Sequence, residues 1–235
     1  MKKLLTIFFL LQFIFGYTQC LEGNCENGTG TYKYENGSVY KGEFKDGERE
    51  GYGTYKCENC KTFYDGEWKN DLENGKGTKT WKNGEIFKGE FKDGQVNGQV
   101  KIILKNGDIY EGEFKDGQLN GQGKFTRKNG EIHEGEFKDG QLNGQGKVIW
   151  KNGDIYEGEF KNGNLNGQGK KIWKNGVIYE GEFIDGSLNG QGKIIYDFGD
   201  IDEGEFKNGW MIKGKRTLED GTIQEGEFKK RKFKG

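Results

Sequence analysis

The 235-residue chain has no proline and a single histidine. With His133 alone, no Ser-His-Asp or Cys-His constellation can be assembled. The absence of proline, with glycines that keep no strict every-third-residue period, excludes a collagen-like chain. No apolar run reaches the ~20 residues that cross a bilayer as a helix. Charge of one sign is not in excess either: 37 Lys and Arg stand against 38 Asp and Glu. The lysines alternate with glutamates and form no basic face, which excludes nucleic acid as a partner. A mean hydropathy of −0.97 leaves too little apolar side chain for a thick core.

Glycine, at 43 residues, is what the chain has in abundance, and it is periodic. Gly-Glu-Phe returns at Gly112, Gly135, Gly158, Gly181 and Gly204, each 23 residues after the last. Upstream it stands as Gly42-Glu43-Phe44, Gly66-Glu67-Trp68 and Gly89-Glu90-Phe91, and downstream as Gly226-Glu227-Phe228. Two residues before these glycines come Tyr40, Tyr64, Phe87, Tyr110, His133, Tyr156 and Tyr179, then Asp202 and Gln224. A fixed period in the twenties marks an array of small identical units.

Within one unit the apolar spacing is two. Tyr110, Gly112 and Phe114 share one side of a strand, and Gly121, Gly123, Phe125 and Arg127 one side of the next. Asp116–Asn120 reads as the loop joining the two strands, and Lys128-Asn129-Gly130 as a three-residue turn with Gly130 left-handed. Keeping both phenylalanines on one side favours pairing Phe114 with Gly123 and Glu113 with Lys124. The same Glu–Lys separation recurs at Glu90/Lys101, Glu136/Lys147, Glu159/Lys170 and Glu182/Lys193. A lone hairpin is marginal in water, so the units must stack. The expected fold class is all-β: an elongated single-layer antiparallel sheet of about nine tandem 23-residue hairpins.

The pattern Tyr-x-Gly-Glu-Phe-x-x-Gly…Asn-Gly-x-Gly resembles the MORN repeat family, from Gly23 to about Phe228. Departures are Val100 for the second glycine of its pair, and a unit from Phe206 to Gly221 that is one residue short and has the look of a cap. The resemblance implies an elongated β module for interactions, near membranes in eukaryotic relatives, with lipid binding proposed for some. Enzymes that carry such repeats draw their activity from a separate catalytic domain, and no residues are left here to build one.

The ends differ from the array. Met1-Lys2-Lys3 and the apolar run Leu4–Phe15 read as a secretory signal over residues 1–19. Residues 20–39 read as a truncated repeat with a cysteine pair, 40–228 as the tandem repeats and 229–235 as a basic tail. The expected location is secreted, periplasmic or in the envelope of a bacterial cell. A lipidated Cys20 is the lesser alternative, because Gln19 before it is not small. In such a compartment Cys20, Cys25, Cys57 and Cys60 read as disulfides with three connectivities open. A local Cys57–Cys60 bridge across its turn fits, with Cys20–Cys25 tying the N-terminal edge. A four-cysteine zinc site is disfavoured by the spacing of one arm.

His133 occupies the tyrosine column and reads as a structural substitute. The glutamates repeat in every unit, whereas an acid–base pair should be singular. No catalytic, cofactor or metal residue is assigned, and the chain is expected not to be an enzyme. The candidate binding face is the aromatic one, with Tyr110, Trp150, Tyr156, Trp173, Tyr179 and Tyr196. Its expected use is as a protein–protein scaffold, with a second copy of the chain as one partner. A glycan- or phospholipid-binding face is the alternative.

Overall fold

The computed structural model describes residues 19–228. All regular structure there is strand, in one antiparallel sheet whose neighbours in sequence are neighbours in space. The apolar leader, Gln19 excepted, and the basic tail lie outside the described residues. β1 (Gln19–Gly23) and β2 (Gly28–Lys33) open the sheet. Strands bearing Gly-Glu-Phe or its tryptophan version then alternate with longer partners. These are β3 (Val39–Lys45) and β4 (Glu48–Cys57), β5 (Thr62–Lys69) and β6 (Leu72–Thr80), β7 (Ile86–Lys92) and β8 (Gln95–Ile103). They continue as β9 (Ile109–Lys115) and β10 (Gln118–Thr126), β11 (Ile132–Lys138) and β12 (Gln141–Ile149), β13 (Ile155–Lys161) and β14 (Asn164–Ile172). Last come β15 (Ile178–Ile184) and β16 (Ser187–Ile195), β17 (Ile201–Lys207) and β18 (Trp210–Thr217), and the edge strand β19 (Ile223–Glu227).

The register differs from the expected one. In β9 and β10, Gly112 lies opposite Gly123, Glu111 opposite Lys124 and Tyr110 opposite Phe125. Phe114 lies opposite Leu119 and not Gly123. The parity that keeps the apolar side chains on one face is obeyed, but the pairing is displaced, by two residues at Gly112 and by four at Phe114. A bulge makes the difference between the two: Asn120, Gly121 and Gln122 together face the single residue Glu113. The joining loop is accordingly two residues, Asp116 and Gly117, both at positive φ (50° and 79°) as a type I′ turn requires. Leu119 is therefore a strand residue, 3% exposed, and not part of a loop.

With this register the Glu–Lys pairs within a unit do not form. The ion pairs run between units instead: Lys101–Glu111 at 2.8 Å, Lys124–Glu134 at 3.4 Å, Lys147–Glu157 at 2.5 Å and Lys170–Glu180 at 2.7 Å. The glutamate of Gly-Glu-Phe, or of its tryptophan version, turns onto its own bulge. Glu43 accepts the Tyr52 N–H at 3.1 Å and Glu67 the Lys76 N–H at 2.9 Å. That satisfies an amide the bulge would otherwise leave unpaired.

The Lys-Asn-Gly turn is as expected. Gly130 N–H donates to Arg127 O at 2.9 Å, Arg127 N–H to Glu131 O at 2.8 Å, and Gly130 has φ of 91°. Turns also stack on turns. Lys128 N–H donates to Asp108 Oδ1 and Lys174 N–H to Asp154 Oδ1, each at 2.9 Å. At the opposite edge Gly140 N–H reaches Leu119 O at 3.0 Å and Gly163 N–H reaches Leu142 O at 2.9 Å.

The core lies on one face, over a row of facing glycines. Leu142 Cδ2 and Phe160 Cδ2 would stand 3.0 and 3.3 Å from a Cβ at Gly146, so these side chains lie down on the bare backbone. Phe114, Phe137, Phe160 and Phe183 are buried in this way, as are Leu119, Leu142, Leu165 and Leu188. Burying each such side chain contributes about 1.5–3 kcal/mol. The cysteines pair locally, Cys20 with Cys25 and Cys57 with Cys60, and none of the four is free.

Candidate functional site

The leucine column decides how the aromatic residues stand. In the two units that carry Arg49 and Glu73 in that column, the tyrosine ring drops onto the glycine pair. Tyr40 and Tyr64 are fully buried there, and their hydroxyls donate to the Glu43 and Glu67 carbonyls at 3.0 Å. Where leucine occupies the column it covers the glycine itself. The tyrosine is displaced upward, and Tyr110, Tyr156 and Tyr179 are only half-buried.

The displaced rings meet the residues that close the Lys-Asn-Gly turns and form a continuous row. Tyr110 stacks on Phe125 at 4.3 Å, Phe125 contacts His133 at 5.8 Å, and His133 contacts Trp150 at 5.9 Å. The row continues edge-to-face from Trp150 to Tyr156 (5.6 Å), Trp173 (5.7 Å) and Tyr179 (6.0 Å). Trp150 keeps 37% of its surface exposed. At the far end Tyr196 stacks on Phe198 at 5.3 Å, and Phe198 is 56% exposed. Of the six residues expected on this face, five lie in one row of ring contacts, and Tyr196 forms a separate pair with Phe198 one repeat on.

The face terminates at a polar plug. Asp202, in the tyrosine column and 2% exposed, receives Nε and Nη2 of Arg216 at 2.5 Å each and the Tyr196 hydroxyl at 3.0 Å. This is a buried carboxylate with a bidentate partner, where the sequence shows only the loss of an aromatic residue. Burial raises the hydroxyl pKa of Tyr110, Tyr156 and Tyr179. For Tyr196 burial is the largest cause, with Asp202 adding to it.

Three members of the site were not legible as such: Phe125, His133 and Lys171. His133 stands in the row as a tyrosine would, its ring linking Phe125 to Trp150 while Nε2 sits 2.7 Å from Glu131. Lys171 occupies the column of Phe125 and Val148, with its Nζ 4.4 Å from the Tyr156 ring centre and 5.9 Å from that of Trp173. The exact column spacing was the available signal, because Lys171 lies 46 residues after Phe125, two periods on.

Among the described residues no group of three or more His, Cys, Asp or Glu side chains is placed to hold a metal ion. No helix there is long and apolar enough to cross a membrane.

The sequence model of the MORN repeat matches seven segments, 26–39, 40–59, 64–86, 110–132, 133–155, 156–178 and 179–200. Residues 87–109, which carry Val100 in the glycine column, are not among them, yet they fold as the same hairpin. The chain is 39% identical over 61 residues to MORN repeat-containing protein 3 of Xenopus laevis, a match covering 23% of this chain and 26% of that protein. It thus spans about a quarter of that relative's length. Among solved structures, the TCP10 domain of Danio rerio CPAP is similar over 89% of this chain and 92% of that domain, at 10% identity and a TM-score of 0.42. The TCP10c domain of Drosophila melanogaster Sas-4 is similar over 66% and 93%, at 15% identity and a TM-score of 0.39. At such values neither likeness carries a functional argument. The repeat segments, covering more than half of the sequence, place the chain in the MORN repeat family, whose repeats are protein- and membrane-interaction modules and whose members are typically non-enzymatic.

Proposed function

We propose that the chain is an exported, elongated scaffold that docks a partner protein along the aromatic face from Tyr110 to Phe198. The observation that carries this reading is the half-raised state of the rings. A leucine in each of these units keeps the tyrosine off the glycines, and the apolar edge that results is covered by nothing else in the described chain. Rows of aromatic side chains on a rigid sheet are strong anchors at protein interfaces, because little side-chain entropy is lost on binding. The rings touch each other at 5.6–6.0 Å and do not stand apart as separate platforms, which favours a protein surface over stacked sugars. Two local disulfides fit an oxidising compartment such as the envelope or the cell exterior.

The test uses a photo-crosslinking residue placed at Trp150 and, in a second protein, at Gln145 on the opposite face. A protein captured through position 150 but not 145, and lost when Trp173→Ala is added, is the expected result. Sedimentation with cell-wall glycan or with liposomes that is lost in Trp150→Ala/Trp173→Ala would instead make this face a glycan or lipid site.

A further inference from the structure

Cations on the aromatic face come with their own carboxylates. Arg49 lies 4.1 Å from the Trp68 ring centre and pairs with Asp71 at 2.9 Å. Lys79 lies 4.6 Å from the Trp81 ring centre and pairs with Glu73 at 2.6 Å. Arg127 has Glu131 at 3.5 Å, and Arg216 has Asp202 at 2.5 Å.

Lys171 breaks this rule. Its Nζ sits among Tyr156, Trp173 and Phe183, at 4.4, 5.9 and 5.6 Å from their centres. Among the described residues its hydrogen bond goes to the Gly186 carbonyl oxygen, at 2.5 Å. The repeat makes the comparison internal to the molecule. At the position where Lys79 finds Glu73, Lys171 finds Leu165, and where Arg49 finds Asp71 there is Gly186. An ammonium has three donors, and within the described residues Lys171 has a carbonyl acceptor but no carboxylate. A cation held over aromatic faces without a counter-ion is an incomplete ion pair, costly to desolvate alone and strengthened when an anion arrives.

We infer that Lys171 is the charge-reading point of the docking face, where the partner protein supplies an Asp or Glu carboxylate flanked by apolar residues. The inference rests on the docking reading and names the chemistry of its partner. The apolar neighbours of that carboxylate cover Trp150 and Trp173, while the carboxylate meets Lys171 from the open side of the face, since Leu165 fills the place that Glu73 holds for Lys79. Burial already depresses the Lys171 pKa, and a bound carboxylate would restore it.

Selection of a random-peptide display library on the full chain tests this. Peptides that Trp150→Ala/Trp173→Ala no longer retains should carry an Asp or Glu. Changing that residue to Asn or Gln should weaken binding, read by calorimetry, about tenfold or more. Lys171→Met should cause the same loss without lowering the melting temperature, because methionine fills the space without a charge. Equal binding of acidic and amide peptides, or an acidic preference that survives Lys171→Met, overturns this inference and leaves the docking face standing. Failure to obtain any peptide that depends on Trp150 and Trp173 overturns the docking reading and this inference with it.

Discussion

Single glycines in this array do two different jobs, and substitution separates them. Gly112, at φ of 144°, lies across from Gly123, and an added Cβ would meet the Gln122 carbonyl oxygen and approach the Gly123 Cα to 2.5 Å. The obstacle is the neighbouring backbone. Gly130 has a left-handed φ of 91° and open space around it. Gly130→Ala should therefore cost only the conformational penalty, about 1–2 kcal/mol. Gly112→Ala should cost clearly more, because two strands must separate. Urea denaturation of the two variants measures this, and equal losses would remove the backbone argument. Ionisation gives a second test at this scale. Tyr40, Tyr64 and Tyr196 have folded pKa values raised above 10.0, chiefly by burial. As pH rises through 10 the unfolded chain ionises first, so these residues take stability away above that point. Lys171 acts in the opposite sense: its folded pKa lies below 10.5, and its burial penalty is relieved as pH rises toward that value. Three tyrosines outweigh one lysine. Stability should fall between about pH 9 and 11, more steeply in Lys171→Met, and a curve rising through that range would contradict the assignment.

At the scale of the hairpin, length is the constraint. Deleting Ile132–Asp154, 23 residues, joins Glu131 to Ile155 in the same column and should leave a shorter sheet with the same far-ultraviolet spectrum. Deleting one residue fewer shifts the following strand by one and turns its apolar set toward solvent, so the melt should broaden or fail. A cooperative melt from both proteins would show that register is not what holds the units together. This is also the scale at which the sequence could be read only in part. The period, the strand faces and the Lys-Asn-Gly turn all follow from spacing two and from Asn-Gly chemistry. The bulge at Asn120–Gln122 does not, because moving the pairing by two residues leaves every face unchanged. Leu119 was hidden for the same reason: its neighbours Asp116 and Gly117 look like the start of a longer loop. The aromatic residues of the candidate site were visible as columns. What lifts them off the glycines was not, since it depends on a leucine several residues away. The lysine among them looks like any other charge until Glu73 and Asp71 show what is missing beside it.

For the molecule as a whole, strand direction matters more than length. Each strand lies across the long axis, so the hydrogen bonds run along that axis, and nineteen strands at about 4.8 Å extend it to roughly 90 Å. β1 and β19 are the two edges, and the chain therefore enters at one end of the sheet and leaves at the other. A pull on the two ends would peel the outermost strand bond by bond and would not shear many bonds at once. Every hairpin that let go would release 23 residues of slack, about 70 Å once its two strand widths are subtracted. The Cys20–Cys25 bridge withholds the first few residues from that process, and Cys57–Cys60 pins one turn within it. Under tension the protein would behave as a tether that lengthens in equal steps at low force, yielding gradually to whatever is fixed at its two ends.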